Sequence, residues 1–470
     1  MRRKLLSLVA PFAMIALAAR TLLLDIRGCA AVTASRADTV GCFGGFKAHR
    51  LHQFRGGATA GNGDKKIYRT LQVQIVHRHG DRTPITTLKD EDYWASTLIP
   101  PDLLEKISSN TNIITSGQAN THHAGGKGAF GKLTQLGLFQ MIELGNTLRE
   151  ELVSDKHPHE YDHPDAYHVD PHSGHKHYKY VFHPQRPLHP KNIKYISTNF
   201  PRTIQSAQGL LVGLFPNSTE ESIVIDARQT DIFIPDPQPR QTPEQEALEK
   251  ELAAQPHLKL KEQEMLPLAI RVTEALKDTL GEGALDISYG VGEEETTEAG
   301  PKTLGWAQLA EITKCLQVRN RLPPTISESE TELISKHAAW RWFESLRHPR
   351  LAYLAMNRMV SHLIDAMHKH DKEPPVIIYS AHDSTLIGLL CSFRLEQPSI
   401  WPEYASYLKL ELLEVISPMD RQKEYVVRFS LNGDLLRSVW DEDKEPMVEI
   451  PLHYLTDKVK KEGAVKEQDR

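Results

Sequence analysis

Apolar and polar positions alternate with period two over Leu71–Val76. Leu71, Val73 and Ile75 fall on one face, Gln72 and Gln74 on the other. Such alternation predicts a strand. Ile193–Thr198 and Val376–Ser380 predict two more, and the last is almost continuously apolar, as in a sheet covered on both faces. Between these segments the period lengthens to that of a helix. Leu133–Val153 places Leu133, Gly137, Met141, Leu144, Leu148 and Leu152 at helical spacing. Thr203–Leu214 does the same with Ile204, Ala207, Leu211 and Leu214, and a third stripe runs from Ala352 to Met367. Strands alternating with helices predict an α/β sandwich.

The middle of the chain has a different pattern. Thr242-Pro243-Glu244-Gln245 reads as an N-cap, a proline in the first turn and a Gln at the third position. Leu268, Val272, Leu276 and Leu280 lie four apart, and Gly281 is placed to end that helix. Residues 237–349 therefore read as a mostly helical insertion, with Glu293–Glu298 as a solvated acidic loop. The insertion divides an α/β domain into 64–236 and 350–470. Residues 157–189 hold nine histidines among several prolines, without the regular spacing of a helical or finger-type metal site. A long surface loop is the expectation there.

The chain has 470 residues, 40% of them hydrophobic and 25% charged, with a net charge of −5. That composition excludes a polytopic membrane protein and a wholly disordered one. It lacks the basic excess that marks nucleic-acid binders. The charge is unevenly spread. Residues 1–63 hold nine Lys and Arg against only Asp25 and Asp38, leaving 47 basic and 59 acidic residues in the rest. Met1–Lys4 is basic, Leu5–Ala19 is apolar, and Ala16-Leu17-Ala18 has a small-x-small form. These features predict a leader that acts as a secretory signal or a signal anchor. The expected location is then the secretory pathway or a membrane-anchored lumenal one, with membrane contact through this segment. An Arg-rich presequence for mitochondrion or plastid is the alternative. Gly41–Gly63 reads as a linker. Cys29 and Cys42 lie in the leader region, so only Cys315 and Cys391 remain in the body and no disulfide framework is implied. Asn217-Ser218-Thr219 is one sequon.

The candidate chemistry stands where strands end. Arg78-His79-Gly80-Asp81-Arg82-Thr83-Pro84 begins just past the first strand. Asn199-Phe200-Pro201-Arg202 follows the second strand, and Ala381-His382-Asp383 the third. In open α/β sheets ligands bind outside the carboxyl ends of the strands. Arg78, Arg82 and Arg202 supply guanidinium forks that match phosphate oxygens in pairs. His79 can serve as nucleophile, base or donor. Together with His382 and Asp383, they suit an anionic tetrahedral group whose leaving oxygen must be protonated.

Arg78–Pro84 resembles the RHGxRxP signature of the histidine acid phosphatases, branch 2 of the histidine phosphatase superfamily. His382-Asp383 resembles that family's distal HD motif. Gly125–Arg149, Ser197–Phe215 and Tyr379–Glu411 extend the similarity over roughly residues 68–455. The resemblance implies a central mixed, mostly parallel sheet with an inserted, mostly helical cap. It implies that His79 is the nucleophile and becomes phosphohistidine, and that Asp383 is the proton donor. Arg78, Arg82, Arg202 and His382 would bind the substrate phosphate, with no metal and no cofactor. The substrate would be a small-molecule or lipid phosphate monoester. A phosphorylated sugar of the secretory pathway is the alternative, and an inactive phosphate-binding protein is the alternative of another class. The intact set of six argues against the last. His77 stands where an aromatic is common before the motif, so the back wall of the phosphate site is expected to differ. Thr385 replaces the Asn of the phytase branch, and Asp81 the Glu of the phosphoglycerate mutase branch.

Overall fold

The strand that leads into the Arg78–Pro84 motif is β1 (Ile67–Arg78), and the rest of the architecture is arranged around it. The computed structural model describes residues 67–464, apart from 116–125, 154–166, 170–175, 179–180, 184–185, 217–221, 229–241, 286–301, 398, 417–422 and 441–444. After β1 come α1 (Glu91–Ser96), α2 (Pro101–Ser108), β2 (Thr111–Ile114) and α3 (Gln135–Leu152). The short strands β3 (Tyr167–Val169) and β4 (Lys176–Tyr178) precede β5 (Ile193–Thr198), α4 (Pro201–Leu214) and β6 (Ile223–Arg228). Helices α5 (Pro243–Ala253), α6 (Pro256–Leu276), α7 (Trp306–Val318) and α8 (Glu328–Leu346) follow. The chain then forms α9 (Pro349–His368), β7 (Val376–Ala381) and α10 (Asp383–Ser392). It closes with β8 (Tyr407–Ile416), β9 (Glu424–Leu431), β10 (Asp434–Leu436), β11 (Glu449–Pro451) and α11 (Leu452–Ala464).

The sheet is mixed, with strand order β10-β9-β8-β1-β7-β5-β6-β2. β1, β7, β5, β6 and β2 run parallel to one another, while β8, β9 and β10 pair antiparallel. Helices cover both faces. Val73, Ile75, Val376 and Ile378 pack with α3 and α4 on one side. Val76, Ile377 and Tyr379 pack with α9, α10 and α11 on the other. A further cluster joins α6, α7 and α8 to Leu88, Trp94 and Phe130.

Period-two alternation in β1 marks a strand, but its polar face does not meet water. Gln72 and Gln74 are both fully buried. They face α9, where Gln74 Nε2 donates to Leu363 O at 2.9 Å and Gln72 Nε2 to Ala366 O at 3.3 Å. Buried amides of this kind must find partners, and the carbonyls of the packed helix supply them.

α4, α5, α6 and α9 all begin with proline, whose fixed φ suits the first turn and whose missing N–H costs nothing there. Thr242 caps α5 by accepting from Gln245 N. Two expectations need correction. α6 runs through Pro267 and ends at Leu276, so Leu280 and Gly281 lie beyond it. Leu280 is buried, and Gly281 N donates to Thr87 O at 2.9 Å, so these residues tie the helix to the loop after β1 rather than ending it. The histidine-rich tract is not all loop. β3 and β4 pair antiparallel within it, and β4 pairs parallel with β1, which satisfies backbone groups that a loop would leave to water.

Candidate active site

Three adjacent parallel strands bring the candidate residues together. Arg78 of β1 is in register with Ala381 of β7, and Ser197 of β5 with Ser380 of β7. The strands therefore end level, and His79, Phe200 and His382 follow at one edge of the sheet. The loop after β1 lies directly on the first turns of α3. A Cβ at Gly80 would sit 2.2 Å from Gly137 O, and one at Gly137 would sit 2.1 Å from Asp81 O. Only glycine at both positions allows this approach. Ser206 Oγ and Gln140 Oε1 accept from the N–H groups of Gly80 and Asp81 at 3.1 and 2.8 Å. Arg202 is the second residue of α4, His382 the N-cap of α10 and Asp383 its first residue. Two helix N-termini thus point positive ends at the same place.

His79 Nδ1 lies 2.8 Å from Gly80 O. A carbonyl can only accept, so Nδ1 carries the ring proton and Nε2 keeps its lone pair. The ring meets His382 edge to face, with 5.6 Å between centroids, and the ring of Tyr404 at 5.8 Å. His382 Nε2 is 3.1 Å from Thr198 Oγ1. Thr198 Oγ1 donates to Thr203 Oγ1 at 2.9 Å, and Thr203 donates in turn to the carbonyls of Thr198 and Phe200. That relay makes Thr198 the acceptor and His382 Nε2 the donor. Burial, then the charges of Arg202, Arg78 and Arg82, hold His79 well below the usual 6.5. Burial and Arg202 do the same for His382, against an opposing pull from Asp383. Both imidazoles are neutral in the resting pocket.

The guanidiniums are partly occupied. Arg78 donates from Nη1 to Pro402 O at 2.5 Å and pairs through Nη2 with Asp383 Oδ2 at 2.7 Å. Its plane lies 4.1 Å from the ring centre of Tyr404. Arg82 Nη1 pairs with Glu311 Oε1 and donates to Thr83 O at 3.1 Å. The Nε atoms of Arg78 and Arg82 are buried with no hydrogen-bond partner. Arg202 is 2% exposed, with its guanidinium 4.9 Å from the ring centre of Phe200. Arg78 and Arg82 each keep a buried Nε–H that meets no acceptor of the protein, an arrangement that suits a bound oxyanion.

Asp383 follows His382 and is held by its neighbours. Oδ1 accepts from Ser384 N at 2.8 Å, and Oδ2 from Trp401 Nε1 at 3.0 Å. Burial raises its pKa, but Arg78, Arg82, His382 and the Trp401 hydrogen bond outweigh it and hold the carboxyl below its usual range. The back wall is His77, which is fully buried. Its Nδ1 donates to Arg78 O at 3.1 Å and its Nε2 accepts from Tyr195 OH at 2.8 Å. Burial lowers its pKa to about 4.

The structure gathers Arg78, His79, Arg82, Arg202, His382 and Asp383 into this one pocket. Four further residues carry part of its geometry and escaped the sequence reading: Thr198, Glu311, Trp401 and Tyr404. Tyr404 is set by a laced turn in which Arg78 N donates to Ser406 O and Ala405 N to His79 O, with Ala405 at φ +61°. Strain of that kind persists where surrounding contacts fix it. The leader 1–63, Cys29, Cys42, the acidic loop at 293–298 and the sequon at 217–219 lie outside the described residues, as does much of the histidine-rich tract. Among the described residues, no group of three or more His, Cys, Asp or Glu is placed to hold a metal, and no helix is long and apolar enough to cross a membrane.

Residues 71–432 match the profile of the histidine phosphatase superfamily (branch 2). Counting factor 60 of Dictyostelium discoideum is 26% identical over 380 residues, covering 77% of this chain and 79% of that protein. Lysophosphatidic acid phosphatase type 6 of Bos taurus is 24% identical over 411 residues, covering 82% of this chain and 83% of that protein. The apo form of Hafnia alvei phytase superposes with a TM-score of 0.50 at 13% identity, over 86% of this chain and 98% of that one. The last likeness concerns the fold alone.

Proposed function

The chain belongs to the histidine phosphatase superfamily (branch 2) and is a phosphoric monoester hydrolase; from that premise we propose that it works through a phosphohistidine on His79. His79 Nε2 attacks phosphorus, the ester P–O bond breaks, and Asp383 gives its proton to the departing oxygen. Water then attacks the phosphohistidine, Asp383 takes up the water's proton, and inorganic phosphate leaves. Arg78, Arg82, Arg202 and His382 hold the phosphoryl oxygens throughout. Phosphoryl transfer asks mainly for positioning and charge stabilisation, and clustered guanidiniums supply both.

The observation that carries this route is the 2.8 Å contact between His79 Nδ1 and Gly80 O. It fixes the tautomer that leaves Nε2 nucleophilic without a separate base. Asp383 is ionised in the resting pocket, so the proton arrives with the substrate monoanion. His382 already donates Nε2–H to Thr198, and an anion beside Nδ1 favours a second proton there.

For the substrate we propose lysophosphatidic acid. The Bos taurus relative carries that name. In this chain Trp401 and Trp342, 5.9 Å apart, form an aromatic wall beside Asp383, with the exposed Ile400 next to it. An acyl chain suits such a wall better than a phytate or a sugar does.

Wild type quenched in alkali should retain labelled phosphate on His79, and His79→Ala should retain none while unfolding at the normal temperature. Near-normal turnover in His79→Ala would exclude the route. A panel of lysophosphatidic acid, glycerol phosphate, phosphoxylose and inositol hexakisphosphate separates the substrate classes. Equal kcat/KM for lysophosphatidic acid and glycerol phosphate would exclude the lipid.

A further inference from the structure

Helix α7 and its C-cap carry three residues spaced four apart, Glu311, Cys315 and Arg319, and all three touch the segment just after the nucleophile. Glu311 Oε1 accepts from Arg82 Nη1 and from the backbone N–H of Ile85 at 2.6 Å. Cys315 Sγ lies 3.7 Å from Arg82 O. Arg319 Nη2 lies 2.6 Å from Asp81 Oδ2, and its guanidinium is 5.3 Å from the ring centre of Trp94. Asp81 Oδ2 also accepts from Thr134 Oγ1 at 2.5 Å. A helix more than 200 residues downstream thus grips residues 81–85 at three successive turns.

We propose that Glu311 is a positioning residue for phosphate recognition: it holds Arg82 by one nitrogen so that the opposite edge of the guanidinium faces the anion. The proposal rests on the assignment of Arg82 as a phosphate ligand. Arginine has five N–H donors in a rigid plane. Both hydrogens of Nη1 are used, one by Glu311 and one by Thr83 O. The Nε–H is buried without a partner. Nε and Nη2 form the side-on fork that grips an oxyanion at two points. A planar group fixed at one corner by two acceptors cannot turn about its long axis, so its remaining edge keeps one direction. Glu311 cannot drift either, because its oxygen is itself tied to Ile85 N and its side chain is only 10% exposed. Position rather than charge is the property selected. The bound phosphate neutralises Arg82 when it arrives, but it cannot find a fork that points elsewhere.

Two conservative variants separate position from charge. Glu311→Gln keeps an oxygen where Oε1 stands and removes the charge. Glu311→Asp keeps the charge and withdraws the oxygen by about 1.5 Å, one carbon–carbon bond. The readout is the Ki of inorganic phosphate as a competitive inhibitor, with KM and kcat measured alongside and the thermal midpoint recorded for each protein. Misplacement on the ångström scale costs up to about 100-fold in well-aligned sites. Glu311→Asp should raise Ki by ~10-fold or more, and Glu311→Gln should leave it within about threefold. A purely structural role would lower the thermal midpoint without sorting Ki by the position of the oxygen. Equal Ki shifts in the two variants, or a larger shift in Glu311→Gln, would overturn the proposal. Arg82→Ala keeps it apart from its premise. A normal Ki in Arg82→Ala removes Arg82 from the phosphate site altogether. A weakened Ki there, with an unchanged one in Glu311→Asp, removes only Glu311. Combining Glu311→Asp with Arg82→Ala should weaken phosphate no further than Arg82→Ala alone.

Discussion

Arg78 Nη2 stands 2.7 Å from Asp383 Oδ2, so the residue before His79 is ion-paired with the residue after His382. Each keeps the other in one orientation until an anion arrives to share the guanidinium.

That pair sets the pH dependence. Asp383 sits below its usual range in the resting pocket, so the proton needed by the leaving group enters on the substrate. A phosphate monoester loses its second proton near pH ~6. We expect kcat/KM to fall about tenfold per pH unit above that value. A profile of log kcat/KM between pH 4 and 8 measures it, and a curve that stays flat to pH 8 would contradict this origin of the proton.

The indole of Trp401 reaches the same carboxylate. Trp401→Phe keeps an aromatic ring between the helical cluster and the sheet but deletes the N–H that Asp383 Oδ2 accepts at 3.0 Å. The loss should fall on esters that need protonation. We expect kcat/KM to drop by ~10-fold or more for an alkyl phosphate, about 1.4 kcal/mol of transition-state stabilisation. A nitrophenyl phosphate should lose far less. Equal loss on the two esters would assign Trp401 to packing alone.

His77 gives a stability prediction with a definite sign. Its folded pKa is lowered to about 4 from 6.5. A lowered histidine binds its proton more readily when unfolded, so protonation favours unfolding. Its contribution to stability is intact above pH 6.5 and is lost progressively as pH falls toward 4. Between pH 7 and 5 the loss is about 2 kcal/mol, at 1.36 kcal/mol per unit. His77→Phe should shrink the difference between urea unfolding free energies at pH 7 and pH 5 by that amount. It should also cost about 1 kcal/mol at both pH values for the Tyr195 hydroxyl left without an acceptor. The same pH difference in wild type and variant would refute the assignment.

Glycine contacts distinguish the site from its scaffold. A Cβ at Gly137 would strike Asp81 O, while one at Gly145, two turns on, would strike Leu210 O in the crossing of α3 with α4. Both alanine variants should lose about 1–3 kcal/mol of stability, the usual cost of overpacking. Only Gly137→Ala should also lower kcat/KM, by ~10-fold or more, because it displaces the loop that carries the pocket. Chemical denaturation and assays well below the unfolding temperature give the two numbers. Parallel losses of activity would mean that the two helices move as one body.

The parts legible in the sequence were those with a local signature. β5 runs over Ile193–Thr198 as its pattern predicts, and β7 extends one residue beyond Val376–Ser380. The period in α3 placed that helix within two residues of Gln135–Leu152. β8 and β9 went unread, although their pairing with each other and with β1 forms the antiparallel half of the sheet. The burial of Gln72 and Gln74 was not legible, because their partners are carbonyls of a helix 294 and 289 residues later. Glu311, Thr198 and Tyr404 lack any motif of their own. Glu311 matters only because Arg82, 229 residues earlier, ends up beside it.

The order in which these charges occur along the chain has a consequence for how the protein is made. Arg78, Arg82 and Arg202 all precede Glu311, and Asp383 comes later still. While the ribosome has delivered only the strands through β6, three guanidiniums destined for burial have neither of the carboxylates that pair with two of them. Burying them then would be costly, so the parallel half of the sheet is expected to stay open at that edge during synthesis. Pro402 O, which Arg78 engages across 324 residues, arrives after both carboxylates. Contacts of such long sequence separation form late and slowly. A chain that stops after β6 should therefore expose a basic cleft to whatever anions surround it, and refolding of the full-length protein should be faster in the presence of phosphate.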